Sequence, residues 1–304
     1  MTLSRAAAGV RHIMSDIALF SELVLKLPLY QYQLEPLREI IHSIYYNRGR
    51  EYLLVFSRQS GKNEAAAHLL VFLLNIYQRV GGNIVYAATG DGLGRGLKRL
   101  DDRLNNDWNR GSWRRATKPT RRILGNTAVV FISSHPQAAT RGETANHLHL
   151  NDEKQDKHRA HLEAVCTPWR AANNATALYL GTVHTSHDTL WLKKQELEQQ
   201  TAADNIQRVY LVGPDRVTAE NPNYHIFLQD QVRRHGRHHP IIASEYYLEP
   251  LDIAGGLFPP RRIQLLTGTH PRQTHPAPNA SIIALLDVGG QDEAASDPLS
   301  QLDN

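Results

Sequence analysis

Short apolar blocks alternate with polar turns over much of the chain. Four apolar residues at 53–56 predict a buried strand. The longer apolar run 65–77 predicts a helix, because it exceeds strand length and is rich in helix-forming residues. The blocks at 84–88, 147–151 and 177–180 predict three more strands. Strands that alternate with helices predict an α/β fold, with a mainly parallel sheet and helices on both faces.

The remaining periodic segments complete this outline. Gly125-Asn126 separates two β-like runs and predicts a hairpin of 121–124 with 128–133. The pattern predicts another strand at 206–212, and helices at 17–27, 32–46, 93–108, 188–200 and 222–236.

The turn 57–62, Ser-Arg-Gln-Ser-Gly-Lys, connects the first strand to the long helix. A helix N-terminus has unpaired N–H groups and partial positive charge, so it accepts anions. Gly61 allows close backbone approach and Lys62 adds a point charge, which predicts a phosphate-binding loop. Phe56 and Asn63 depart from the pattern G-x-x-x-x-G-K-[ST]. The alternative is an ordinary strand-to-helix turn.

Two further strand ends carry candidate chemistry. Asp152-Glu153 follows the strand 147–151, and in P-loop enzymes such a pair holds magnesium and polarises the attacking water. Gly181-Thr182 follows 177–180, where a small residue and a hydroxyl can sense a terminal phosphate. A surface acidic pair and a plain turn are the alternatives.

Glutamines precede the helix 32–46. A Gln amide can both donate to and accept from an adenine edge, so Gln33 is the first choice for base reading and Gln31 the second. The alternative is a solvated Gln at a helix start.

Composition adds weaker constraints. The 304 residues are 41% hydrophobic, enough for a substantial core, and carry a net charge of +4, which favours polyanionic partners. A single cysteine, Cys166, excludes an intrachain disulfide framework and suits a reducing compartment. No signal-peptide or membrane-spanning pattern is found, so we expect a cytoplasmic protein.

In combination, these motifs resemble the large terminase subunit, the ATPase that packages DNA into the capsids of tailed phages and herpesvirus-type viruses. The similarity covers roughly residues 30 to 185. It rests on five segments in the family's order: Tyr32-Gln33, 58–63, Arg141-Gly142, 150–153 and 180–182.

The resemblance implies an ASCE-type P-loop NTPase fold with a small helical N-terminal lid. It implies ATP and Mg²⁺ as cofactors, with Asp152 and Asn63 at the metal. Glu153 would orient water, and Arg58 or Arg141 would act as the arginine finger. Gly181-Thr182 would couple phosphate loss to DNA movement. The implied ATP-binding residues are Gln33, Gln31, Arg58, Gln59, Ser60, Gly61, Lys62, Asn63 and Glu64.

The implied partners are double-stranded DNA, the portal protein and the small terminase subunit. The implied assembly is a ring, expected to be a pentamer on the capsid, in the host cytoplasm. Two other classes stay open: a helicase-like nucleic-acid-dependent ATPase, and a scaffold that has lost nucleotide binding.

The predicted organisation has four parts. Residues 1–50 form the helical segment, 51–258 the ATPase domain, 259–280 a linker, and 281–304 the first strand of a truncated RNase H-like nuclease. Asp287 resembles that nuclease's first metal ligand. Too few carboxylates follow for a two-metal site, so no nuclease activity is expected.

Three basic or histidine-rich features have open interpretations. The segment 110–118 either contacts DNA phosphates or is a solvated loop. The cluster 233–239 is a metal or phosphate patch, or a solvated basic helix end. His158 and His161 could share a helix face as metal ligands, but they lack cysteine or carboxylate neighbours.

Overall fold

The computed structural model describes residues 3–133, 144–152, 170–182 and 189–251. The chain divides into two compact units, Met1–Ala254 and Gly255–Asn304. The described residues all belong to the first unit. The predicted linker, the predicted nuclease strand and Asp287 lie outside the described residues.

Eight strands form one sheet. In chain order they are β1 (Glu51–Phe56), β2 (Gly82–Ala88), β3 (Trp113–Thr117), β4 (Thr120–Leu124), β5 (Thr127–Ser133), β6 (Leu148–Asp152), β7 (Thr176–Gly181) and β8 (Val209–Val212). The spatial order is β3-β4-β5-β2-β6-β7-β1-β8. Every pairing is parallel except β3 with β4 and β4 with β5, so the mainly parallel sheet is confirmed.

Eight α-helices lie among the described residues. They are α1 (Leu3–Ile13), α2 (Ile17–Leu23), α3 (Gln31–Tyr45), α4 (Lys62–Tyr77), α5 (Gly90–Leu104), α6 (Thr189–Asp204), α7 (Pro214–Glu220) and α8 (Pro222–His235). A short π-helical turn, Ile242–Tyr246, follows α8. No helix in these ranges is long and apolar enough to cross a membrane.

Helices cover both faces of the sheet, as predicted. Tyr52, Leu54 and Phe56 of β1 share the main core with α2, α3, α4 and α5, because alternate strand residues face the same side. Leu53 and Val55 pack on the opposite side, against residues of α6. Residues 65–75 of α4 are all buried, which explains the nearly unbroken apolar run of this helix.

The N-terminal helices belong to the same core as the sheet. Phe20 of α2 contacts Phe72 of α4 edge to face, at 5.3 Å between ring centroids. In α3, Leu37 and Ile40 are fully buried in this core.

Two elements differ from the prediction. The helix predicted over 17–27 ends at Leu23, and Lys26 takes a left-handed conformation with φ of 54°. The basic segment 110–118 contains an edge strand, β3, whose residues Arg114 and Arg115 are exposed. Arg115 pairs with Asp101 of α5 and lies over the ring of Trp113.

Candidate functional site

The turn between β1 and α4 has the shape of a phosphate-binding loop. Gly61 caps the start of α4 in a left-handed conformation, with φ of 87°, and Gln59 is also left-handed, with φ of 63°. The N–H groups of the first helical turn therefore face the loop, as anion binding at a helix N-terminus requires. Lys62 and Asn63 occupy the first helical turn and are half-buried.

Helix α3 holds the loop from one side. The hydroxyl of Tyr32 donates to the carbonyl of Ser60 at 2.9 Å, and Nε2 of Gln33 donates to the carbonyl of Gly61 at 3.1 Å. A Cβ on Gly61 would lie 2.5 Å from that same Nε2. The close approach and the positive φ together explain why glycine stands at this position.

Gln33 is buried, and backbone groups contact both ends of its amide. Its Oε1 accepts from the N–H of Tyr30 at 2.9 Å, while Nε2 is bound to the loop. Gln31 is exposed, and its backbone N–H donates to Glu220 at 2.6 Å. The structure thus connects Gln33 to the phosphate loop, and adenine reading by either glutamine stays a prediction.

The segment around the π-helical turn holds the loop from the other side. The hydroxyl of Ser57 donates to the carbonyl of Tyr246 at 2.7 Å, and the N–H of Arg58 donates to the carbonyl of Glu245 at 2.8 Å. Tyr224 of α8 donates to the carbonyl of Arg58 at 2.9 Å. The guanidinium of Arg58 also forms an ion pair with the carboxylate of Glu245.

Sequence reasoning missed this second set of contacts. The partners stand 166 to 189 positions away from Ser57 and Arg58. No local pattern marks such distant residues.

Strand register brings the acidic strand to the same edge of the sheet. Asp152 pairs with Leu180 of β7, and Gly181 of β7 pairs with Val55 of β1. Since neighbouring strands lie about 4.8 Å apart, the carboxyl ends of β1 and β6 are separated by about 10 Å. The phosphate loop, Gly181-Thr182 and Asp152 therefore occupy one edge, as the sequence predicts.

Asp152 is half-buried and accepts a hydrogen bond from the hydroxyl of Tyr86 at 2.6 Å. Burial and the negative charge of Asp152 raise the pKa of Tyr86 well above its usual value, so the phenol remains a neutral donor. This bond fixes one carboxylate oxygen of Asp152 on the side of β2.

Glu64 makes contacts different from those predicted. Its carboxylate pairs with Arg99 of α5 at 2.9 Å, with Arg103, and with His68 at 3.3 Å. Burial opposes ionisation, but the hydrogen bond from His68 and the charge of Arg103 lower the pKa of Glu64 to about 2. Glu64 thus connects α4 to α5, and direct nucleotide contact by this residue stays a prediction.

Several other predicted residues cannot be placed. Glu153 and Arg141 lie outside the described residues, as do His158 and His161. In the basic cluster, the rings of His235 and His239 are 5.7 Å apart. Within the described ranges no group of three or more histidine, cysteine or acidic side chains is arranged to hold a metal ion.

A cavity of about 990 Å³ lies away from this edge. It is lined by residues of α1, of the last turns of α3 and of the C-terminal part of α4, including Tyr45, Tyr46 and Asn75. Asn75 follows Lys62 by thirteen positions in α4, which corresponds to about 20 Å along the helix. The phosphate loop is therefore a separate feature from this cavity.

The fold and the loop together define a P-loop α/β protein. No protein-family model matches the sequence, and no curated protein matches it significantly. Solved structures do match, and their fold is that of large terminase ATPase domains. At identities below 25%, the likeness establishes the fold alone.

Three of these structures illustrate the likeness. The large terminase of bacteriophage HK97 has a TM-score of 0.60 at 15% identity, covering 78% of this chain and 55% of that one. A mutant ATPase domain of the Thermus phage P74-26 large terminase has 0.52 at 17%, covering 76% and 98%. The large terminase of a thermophilic bacteriophage, in complex with ATP-γ-S, has 0.51 at 12%, covering 73% and 52%. The chain thus spans about half the length of the HK97 protein.

Proposed function

We propose that this chain is the ATPase of a viral DNA-packaging motor, which hydrolyses ATP to translocate double-stranded DNA into a procapsid. The observation that carries the proposal is the conformation of the loop from Ser57 to Lys62 at the N-terminus of α4, on the same sheet edge as Asp152. The shared fold supports it, and related terminases have been solved with ADP and with ATP-γ-S.

The loop fits a polyphosphate. Gly61 and Gln59 are left-handed, which turns the backbone N–H groups of the loop and of the first helical turn toward a common point. Lys62 adds the positive charge that outer phosphates require. Each of these groups would bind the phosphates and hold them in position.

The oxygen donors at this edge fit Mg²⁺. Asp152 offers a carboxylate and Asn63 an amide oxygen, and this ion prefers such hard oxygen ligands. When bound, the ion would neutralise phosphate charge. The hydrogen bond from Tyr86 would orient the carboxylate of Asp152.

The remaining roles follow the chain's own chemistry. Glu153 would orient the attacking water and accept its proton. Arg58, or Arg141 of a neighbouring subunit, would stabilise charge that develops on the transferred phosphoryl group. Gly181-Thr182 would transmit phosphate loss to the DNA-binding surface, in a ring that acts with the portal protein and the small subunit.

A nucleotide titration tests the proposal. We expect the purified chain to bind a fluorescent ATP analogue in the presence of magnesium. Lys62→Ala should weaken binding at least tenfold, because the loop loses its charge. Glu153→Gln should bind normally but turn over at least a hundredfold more slowly, because it removes the proton acceptor.

The control is Lys98→Ala on the exposed face of α5, which should leave binding unchanged. If the wild-type chain does not bind nucleotide, the scaffold interpretation is favoured. Normal turnover by Glu153→Gln would contradict the assignment of the base. Strand separation by the chain would favour the helicase-like alternative.

A further inference from the structure

Arg58 is held by its backbone, whereas its side chain is able to move. Its N–H donates to the carbonyl of Glu245, and its own carbonyl accepts from Tyr224. These two bonds fix the position of the residue in the loop. The side chain is 49% exposed, so the guanidinium can change partner without disturbing the fold.

In this structure the partner is the carboxylate of Glu245, which is 23% exposed. A pair so open to solvent stabilises the fold by only about 0–1 kcal/mol. The contact is therefore weak enough to exchange for a stronger acceptor.

A triphosphate bound in the loop would be that stronger acceptor. Arg58 belongs to the same turn as Lys62, four positions earlier. A guanidinium binds phosphate oxygens through paired hydrogen bonds, and a polyphosphate carries several negative charges where Glu245 carries one.

We infer that Glu245 is a positioning residue, which holds the Arg58 side chain when the loop is empty and releases it to the nucleotide phosphates. The inference rests on the proposed function. Glu245 thereby competes with the nucleotide for one cation. The backbone bond between the two residues persists through the exchange, so the π-helical turn stays attached to the loop.

The test is the dissociation constant for a fluorescent ATP analogue. Glu245→Gln keeps the shape of the side chain but removes its charge, so we expect binding about threefold to fivefold tighter than in the wild-type chain. Glu245→Ala should tighten binding similarly, which provides a second variant if the first does not fold. Damage to the fold would weaken binding instead.

A double-mutant cycle identifies the partner. Arg58→Ala should weaken binding, and adding Glu245→Gln to Arg58→Ala should change nothing further, because the competition has lost its cation. Glu249→Gln is the matched control. It removes one carboxylate from a surface pair with Arg237 that does not involve the loop, so affinity should stay at the wild-type value.

Three results would overturn the inference. They are unchanged or weaker binding by both Glu245 variants, the same gain in the Glu249→Gln control, and a full gain in the Arg58→Ala background. Each of these leaves wild-type binding intact and so leaves the proposed function standing. A wild-type chain that binds no nucleotide would overturn both together.

Discussion

At the residue scale, His149 shows how the interior of the sheet constrains the acidic strand. It lies in β6, three positions before Asp152, and is 1% exposed. Complete burial, reinforced by the positive charge of Arg170, lowers the pKa of His149 from 6.5 to about 3. The imidazole is therefore neutral in the folded protein at every pH where the enzyme would operate.

This burial predicts acid sensitivity. The unfolded chain binds a proton at His149 below pH 6.5, and the folded chain does not, so this contribution to stability is complete above pH 6.5 and decreases toward pH 3. Between pH 7.5 and 5.5 we expect His149 to account for a loss of about 1 kcal/mol in the free energy of unfolding. Urea denaturation at the two pH values measures this loss.

Two variants make the measurement specific. His149→Gln should show a smaller loss between the two pH values, whereas His225→Gln, at an exposed site on α8, should behave as the wild type does. Glu64 does not interfere, because its pKa is about 2 and its usual value 4.5. Equal losses in the wild type and in His149→Gln would contradict the prediction.

Individual residues were predictable where their role depends on local sequence. Gly61 and Lys62 were recognised because a strand, a turn and a helix follow one another directly in the chain. Glu245 was not, because a weak ion pair between distant residues leaves no local pattern. Gln33 was singled out for base reading, but its amide contacts the loop backbone, and such contacts depend on tertiary packing.

At the element scale, α5 is matched to the strand beneath it by a glycine. A Cβ on Gly96 would lie 2.8 Å from the ring of Tyr86, whose hydroxyl is bound to Asp152, whereas a Cβ on Gly94 would meet nothing within 4 Å. The two positions share one helix and differ in what they face.

We therefore expect opposite effects from the same substitution. Gly94→Ala should raise the free energy of unfolding by about 0.5–1 kcal/mol, because alanine favours the helix. Gly96→Ala should lower it by about 1–3 kcal/mol, because the buried ring cannot move without strain. Thermal and urea denaturation of both variants test this, and stabilisation by Gly96→Ala would refute the packing argument.

Elements with strong periodicity were predicted well and weak ones were not. The strands β1, β2, β6 and β7 appear within a residue or two of the predicted positions, because buried parallel strands are continuous apolar runs. The edge strand β3 was missed, since its exposed arginines hide the alternation. Helix α7, Pro214–Glu220, was missed because seven residues are too few for a periodic signal.

At the scale of the whole molecule, sequence predicted parallel strands but could not order them. That β7 lies between β1 and β6 depends on pairing between segments more than 90 positions apart, as in Val55 with Gly181. The expectation that the three strand ends meet at one edge is nevertheless confirmed, because parallel strands place their carboxyl ends on the same side.

Assembly provides the prediction for this scale. If Arg141 acts on the neighbouring subunit, ATP turnover per chain should rise with protein concentration, because a lone subunit lacks the second arginine. Arg141→Ala should remove this rise and leave the dilute rate unchanged. Steady-state ATPase rates over a hundredfold range of concentration, with and without DNA, measure this effect.

The matched control is Arg234→Ala, at an exposed site on α8, which should keep the concentration dependence of the wild type. A rate per chain that stays constant in the wild type, while sedimentation shows that rings form, would assign the finger role to Arg58 within each subunit.

The phosphate loop is anchored by residues from both extremes of the described chain, with Tyr32 and Gln33 on one side and Tyr224 and Tyr246 on the other. A shortened version ending after β8 would preserve every strand yet leave Ser57 and Arg58 without their supports. Designers who trim this protein to a minimal catalytic fragment, or split it into complementing halves, should therefore keep the sequence through the π-helical turn in the same piece as the sheet.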